Sequence, residues 1–270
     1  MDTRFWGPSG WKLLHSITFA YESTWHAAAS PTRSERNKAC MKTLFEMLPF
    51  VLPCKFCRAS LTGYMETHPL EPALESKATL AKWLWVIHNE VNKKTRAQGI
   101  SHTQDPPFDA VKDIYEGFLR YGCSQTSFPG WDFLFSVAEL HPMSKSAKES
   151  VPISGAPPCE TMKTREERNR WNCMEPEERL ALYKKFWQAL GKVLPFPEWR
   201  RSWDRHSEGA DEALETRAGT LKWLWQLRCA MERDMNLLNR CKYSSLCKTL
   251  KTFRSGCTGS SRGKTCRRRR

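Results

Sequence analysis

The chain has 270 residues, 40% hydrophobic and 27% charged, which excludes a disordered polymer and leaves room for two globular domains. Its net charge of +14 is not a property of the whole protein: ten Lys and Arg and no acidic residue lie between Cys241 and Arg270, leaving +4 for the first 240 residues. Apolar runs such as Leu44–Leu52 are far shorter than the ~20 residues of a membrane span, and the N-terminus carries no apolar segment of the secretory kind.

In chain order, the first block is Trp6-Gly7-Pro8-Ser9-Gly10-Trp11, and apolar spacing predicts a helix over Trp11–Tyr21 that carries His15. Ala29-Ser30-Pro31 interrupts the pattern before a second helix over Asn37–Leu48. Pro53-Cys54-Lys55-Phe56-Cys57 opens a third over Lys55–Tyr64, and the stretch from His68-Pro69 to Pro72 ends it. A fourth, Lys77–Asn92, contains Trp83-Leu84-Trp85 and runs into His88-Asn89-Glu90-Val91-Asn92-Lys93. A fifth covers Phe108–Tyr121, and no period-2 strand pattern is present, so the fold class is all-α with a small helical bundle first.

The second half echoes the first in degraded form. Gly10-Trp11-Lys12-Leu13-Leu14-His15-Ser16 returns as Gly130-Trp131-Asp132-Phe133-Leu134-Phe135-Ser136. Val51-Leu52-Pro53-Cys54 with Arg58 returns as Val193-Leu194-Pro195-Phe196 with Arg200, and Lys82-Trp83-Leu84-Trp85 as Lys222-Trp223-Leu224-Trp225. The first gap is 41 residues in one half and 63 in the other, and a loop in Lys145–Glu166 accommodates the difference. Chance similarity among Trp-rich amphipathic helices is the alternative. In a true copy the polar groups are gone: Cys54 and Cys57 become Phe196 and Trp199, His15 becomes Phe135, His88 becomes Arg228, and Asn89 becomes Cys229.

Eleven cysteines are about 4% of the chain, below the range of disulfide scaffolds, and Cys54 and Cys57 are the one close pair. At a helix N-terminus the open amides, the helix dipole and Arg58 favour a thiolate there. Two thiols so spaced exchange with disulfides and carry electrons in pairs. Half of a zinc site is the other reading, but it needs two further ligands at matched spacing, and Cys257 and Cys266 do not supply them. His88 and Asn92 share a helix face, with Asn89 beside them and Trp85 one turn earlier. With Lys93 they form a surface suited to a planar heterocycle and a phosphate. An amphipathic core helix with a satisfied histidine fits the same residues, and Trp6, Trp11 and His15 fit core aromatics equally.

Together, in this order and spacing, the three blocks resemble the FAD-linked sulfhydryl oxidases of the Erv/ALR type over about Arg4–Cys123. The resemblance implies a four-helix bundle with a short fifth helix, holding FAD at one end. It implies that Trp6, Gly7, Trp11, His15 and Tyr21 surround the flavin from the first helix, and His88, Asn89, Val91, Asn92 and Lys93 from the fourth. Cys57 would lie against the flavin and attack its C4a position, and Cys54 would exchange with dithiol protein substrates. Electrons would then pass to molecular oxygen, giving hydrogen peroxide; no metal is involved. Many members clamp the segment after the fourth helix with a second disulfide. This chain has Ala110 where its first Cys is expected, so Cys123 is free or finds another partner such as Cys40. Members often carry a shuttle dithiol as well; Cys257 and Cys266, or Cys241 and Cys247, are candidates, with incidental cysteines as the alternative.

The organisation expected is an oxidase domain over 1–125, a degenerate oxidase-like helical domain without a flavin site over 126–240, and a basic, flexible, Cys-containing tail over 241–270. Quiescin-type oxidases resemble this in joining an active half to a degenerate one, so the chain is expected to form an internal pseudo-dimer or a homodimer. The tail fits nucleic acid or an acidic surface through charge, or serves solubility alone. A non-catalytic nucleic-acid or virion binding protein and a flavin-free disulfide carrier are the competing functions. The setting expected is the host cytoplasm or the virion, as for enzymes of large cytoplasmic DNA viruses, with the mitochondrial intermembrane space as the alternative.

Overall fold

Helix α1 (Thr3–Phe19) begins at Asp2, whose carboxylate accepts the Arg4 N–H at 2.9 Å and caps the first turn. The sequence pattern places this start at Trp11, because Gly7, Pro8 and Gly10 read as breakers. Pro8 lies inside α1, where it forgoes one backbone hydrogen bond, and the cap and the burial of Trp6 offset that loss. The computed structural model describes residues 1–21, 31–122, 128–144, 174–237 and 241–254. Lys145–Glu166, Cys123, Cys159, Cys173, Cys257, Cys266 and Arg267–Arg270 lie outside the described residues, and so does everything expected of them.

The first half continues with α2 (Pro31–Val51), α3 (Lys55–Thr67), a 3₁₀ turn (Glu71–Glu75), α4 (Lys77–Ala97) and α5 (Phe108–Arg120). Ser76 and Thr79 start α4 with a capping box: Ser76 Oγ accepts the Thr79 N–H at 3.1 Å and Thr79 Oγ1 accepts the Ser76 N–H at 3.0 Å. α1 packs on α4 and α5, while α2 packs on α3. Leu13, Ile17, Leu44, Phe45, Leu74, Leu80 and Ile87 fill the space between them. Tyr21 anchors the C-terminal end of α1 by donating to the Leu74 carbonyl at 2.9 Å.

The remaining helices are α6 (Trp131–Glu139), α7 (Pro176–Val193), α8 (Pro197–His206), the single turn α9 (Ala210–Ala213), α10 (Arg217–Asp234) and α11 (Tyr243–Phe253). Among the described residues there is no strand, so the fold is all-α as the periodicity predicts. No described helix is long and apolar enough to cross a membrane. The two halves meet through like helices: α6 packs on α1, and α7 packs extensively on α2. Gly10 and Gly130 make the first contact possible. A Cβ on Gly10 would stand 3.2 Å from the Phe133 ring, and a Cβ on Gly130 would stand 2.6 Å from Leu13. Ser9 ties the same helices together, donating to the Pro129 carbonyl at 2.7 Å and accepting the Phe133 N–H at 3.2 Å.

Residues 243–253 are a correction to the flexible tail expected over 241–270. Charge hides an apolar stripe there, Tyr243, Leu246, Leu250 and Phe253, at helical spacing. Leu250 is buried, Phe253 stacks on Phe5 with ring centres 4.5 Å apart, and the Phe253 carbonyl accepts the Asp2 N–H at 2.8 Å. Glu139, buried on α6, takes Arg217 in a two-pronged ion pair and Arg254 in a second, which ties α6 to α10 and to the end of α11. The close approach of the halves makes Gly130 a sensitive position. Gly130→Ala should lower unfolding stability in urea by about 1–3 kcal/mol, as overpacking of a filled core does; an unchanged midpoint would contradict the α1–α6 contact.

Candidate functional site

Pro53 has no N–H to continue a helix, and the chain turns there from α2 into α3. Cys54 caps α3 in an extended conformation, and its Sγ accepts the Cys57 N–H at 3.3 Å. The Leu52 carbonyl fixes this corner from two sides, accepting the Cys54 N–H at 2.8 Å and the Arg58 guanidinium, through Nη1, at 2.8 Å. A hydrogen bond from the Cys57 side chain pulls the Cys54 thiol down to about 6; burial opposes this, while the Cys57 amide and the Arg58 charge assist. Burial draws Arg58 down to about 10, so it remains a cation at neutral pH.

Cys57 lines a cavity of about 580 Å³, and Cys54 is not in its wall. The wall is mostly apolar: Trp6, Trp11 and Leu14 from α1, Phe45 and Leu48 from α2, Leu61 from α3, and Trp83, Leu84, Ile87 and Val91 from α4. Polar groups are few. They include Arg4, Ser60, His88, Asn92, Lys94 and Gln98. Lys94 donates to Ser60 Oγ at 2.7 Å, joining α4 to α3. Asn92 donates to Asp105 at 2.9 Å, and Arg96 grips the same carboxylate at 2.6 and 2.8 Å, which holds the segment after α4 in place.

The His88 ring stacks on Trp11 at 3.8 Å with the planes 9° apart, and its Nδ1 lies 3.1 Å from His15 Nε2. Tyr115 of α5 stacks on the other side of His15 at 5.0 Å. Burial holds His15 down to about 3 and His88 to about 4, and His88 lowers its neighbour further. Both rings are therefore neutral at neutral pH, sharing one proton between two nitrogens; two imidazolium rings would set N–H against N–H.

Of the residues expected around the flavin, Trp6, Gly7, Trp11, His88, Val91 and Asn92 line the cavity. His15 stands behind His88 as its partner, and Tyr21 bonds to the Leu74 carbonyl. Asn89 and Lys93 are not in the wall; Lys93 has 75% of its side chain exposed and sits 4.0 Å from Glu90. Lys94, one residue on, is in the wall. Arg4, Phe45, Tyr115 and Phe133 carry no signal of a site in the sequence, where each looks like ordinary surface charge or core.

The cavity suits FAD on three counts. Its volume is that of a small-molecule site and its walls are aromatic and apolar with few polar groups. A Cβ on Gly7 would meet nothing within 4 Å, which leaves open space beside α1. Trp6 Nε1 is a buried donor with no hydrogen-bond partner among the described residues.

An all-α bundle with a Cys-x-x-Cys helix start beside such a cavity defines a class of flavin-linked dithiol protein, and comparison with known proteins makes it specific. Residues 8–113 match the Erv1/Alr family. A probable FAD-linked sulfhydryl oxidase of Acanthamoeba polyphaga mimivirus is 30% identical over 105 residues, covering 38% of this chain and 68% of the relative. The mitochondrial FAD-linked sulfhydryl oxidase of Saccharomyces cerevisiae is 33% identical over 95 residues, 35% of this chain and 45% of the yeast protein. The FAD-linked sulfhydryl oxidase of an African swine fever virus isolate is 29% identical over 136 residues, 48% of this chain and 98% of its own length. The chain belongs to the Erv1/Alr family. It spans less than half of the yeast protein it matches. No solved structure matches it.

The thiol chemistry has a direct test. Alkylation of Cys54 should follow an inflection at about pH 6, with the rate falling on the acid side as the thiolate is protonated. In Cys57→Ala the inflection should move upward, because the largest downward influence is lost; an unmoved inflection would contradict this geometry.

Proposed function

We propose that the protein is a FAD-dependent thiol oxidase that makes disulfide bonds in dithiol protein substrates. The observation that carries this reading is the placement of the two thiols, Cys57 in the cavity wall and Cys54 outside it. FAD, when bound, would supply a two-electron acceptor that oxygen can reoxidise, with hydrogen peroxide as the product. Trp6, Trp11, His88, Val91 and Asn92 would hold the cofactor, with Arg4 and Lys94 as the cations nearest its anionic part. Cys54 exchanges with the incoming dithiol: the substrate is oxidised to a disulfide while Cys54 and Cys57 become thiols. With Cys54 already a thiolate at neutral pH and Cys57 in the cavity wall, closing the disulfide again would release one further proton and two electrons, and bound FAD would be their acceptor. Arg58 keeps a positive charge beneath both sulfurs throughout. Neutral His15 and His88 add no charge of their own beside Trp11.

The second half is read as a degenerate copy that stands where a second subunit would. Several bonds recur in support. Arg200 Nη1 donates to the Leu194 carbonyl as Arg58 does to Leu52, and Thr220 donates to Ala213 as Thr79 does to Ala73. His141 bonds to the Leu214 carbonyl as Tyr21 does to Leu74. The contacts at Gly10 and Gly130 are reciprocal, as in an isologous interface. Side chains fill the place of a flavin in this half: Arg228 lies 5.7 Å over Trp131 and 5.8 Å over Trp225, and it bonds to Glu232 at 2.8 Å. An intrachain pseudo-dimer follows from this reading. The host cytoplasm or the virion is the setting it favours, on the strength of the viral relative that aligns along nearly its whole length.

Oxygen consumption with a dithiol substrate tests the function. Cys57→Ala should purify with the wild-type flavin content and lose turnover by several orders of magnitude. Turnover at the wild-type rate in that variant would refute the assignment.

A further inference from the structure

Among the described residues that wall the cavity, Phe133 alone comes from the second half of the chain. It lies on α6, its side chain is fully buried, and it reaches the cavity through the gap left by Gly10 on α1, where a Cβ would stand 3.2 Å from its ring. Its ring centre is 5.8 Å from that of Trp6, which lines the same cavity and has a buried indole N–H without a hydrogen-bond partner among the described residues. Phe186 of α7 backs it edge-on at 6.4 Å. The Ser9 hydroxyl accepts the Phe133 N–H at 3.2 Å and so fixes its backbone to α1. Phe133 is thus held from behind by the second half and from the side by α1, and it bears on the cavity through the Trp6 ring.

We infer that Phe133 is a flavin-positioning residue, so that the first half alone does not hold a complete FAD site. The inference rests on the FAD reading of the cavity and extends it to the second half. Phe133 provides a rigid apolar wall and sets the position of the Trp6 indole. Leu13, which faces Gly130 in the reciprocal contact, is not in the cavity wall. The asymmetry between Leu13 and Phe133 therefore falls on the side of the interface that bears the cavity.

The test is FAD titration of the full chain stripped of flavin, followed by fluorescence, beside thermal melts of each protein without FAD. Phe133→Ala should weaken FAD binding about ten- to a hundredfold, because the Trp6 indole loses the ring that holds it in place. Phe133→Leu, which keeps volume and protects against a failure to fold, should weaken it less. Val137→Ala, equally buried on α6 but away from the cavity, should lower the melting temperature and leave FAD affinity unchanged. Wild-type affinity in both Phe133 variants would overturn this inference and leave the oxidase reading standing. Equal weakening in Val137→Ala and Phe133→Ala would overturn it too, since the effect would then be general loosening. A wild-type protein that takes up no FAD would sink both.

Discussion

The functional geometry depends on one carbonyl. Leu52 O receives both the Cys54 amide and the Arg58 guanidinium, and this double bond to a single oxygen locks the corner between α2 and α3. With the corner locked, α3 starts at Cys54, and one turn of helix decides where each thiol goes. Cys57 falls on the cavity side, while Cys54 takes the cap position, where an amide points at its sulfur. Arg58 is buried in making this bond, so its charge is spent partly on structure and partly on favouring thiolates. Arg200 makes the same bond to Leu194 in the second half, where Phe196 and Trp199 stand at that corner in place of a dithiol. The corner is thus a property of the fold, on which the dithiol is placed.

Close contact of α1 with α6 depends on what is missing. Gly10 and Gly130 leave no Cβ at the crossing, and the helices approach until Leu13 and Phe133 fill the spaces. Burial of several tryptophans and phenylalanines across α1, α2, α6 and α7 makes the two halves one core. The cavity is therefore braced by the second half of the same chain, through Phe133 and Phe186 behind it. In the second half Arg228 lies over Trp131 and pairs with Glu232, whereas His88 stacks on Trp11 in the first.

Local signals carried much of this structure. Helical periodicity, the Pro-Cys-x-x-Cys start of α3 and the His88/Asn92 face each depend on neighbours within a turn or two, and each is found in place. Errors arise where the outcome depends on distant contacts. Gly7, Pro8 and Gly10 look like helix breakers until Asp2 caps α1 and α6 packs against it. The charge of residues 243–253 conceals a stripe that folds only because Phe5 and Glu139 are there to meet it. Lys93 and Lys94 cannot be told apart in a list of residues; a rotation of about 100° per residue sends one to solvent and the other to the cavity. Phe133 had no local signal at all, since its place in the wall is set by a helix more than a hundred residues away.

The visible absorption spectrum of the purified protein, recorded anaerobically before and after addition of a dithiol and again on aeration, tests the central claim most directly. A flavin band that bleaches with dithiol and returns with oxygen is the predicted result. A protein that remains colourless after incubation with FAD, or a bound flavin that dithiol does not bleach, would contradict it.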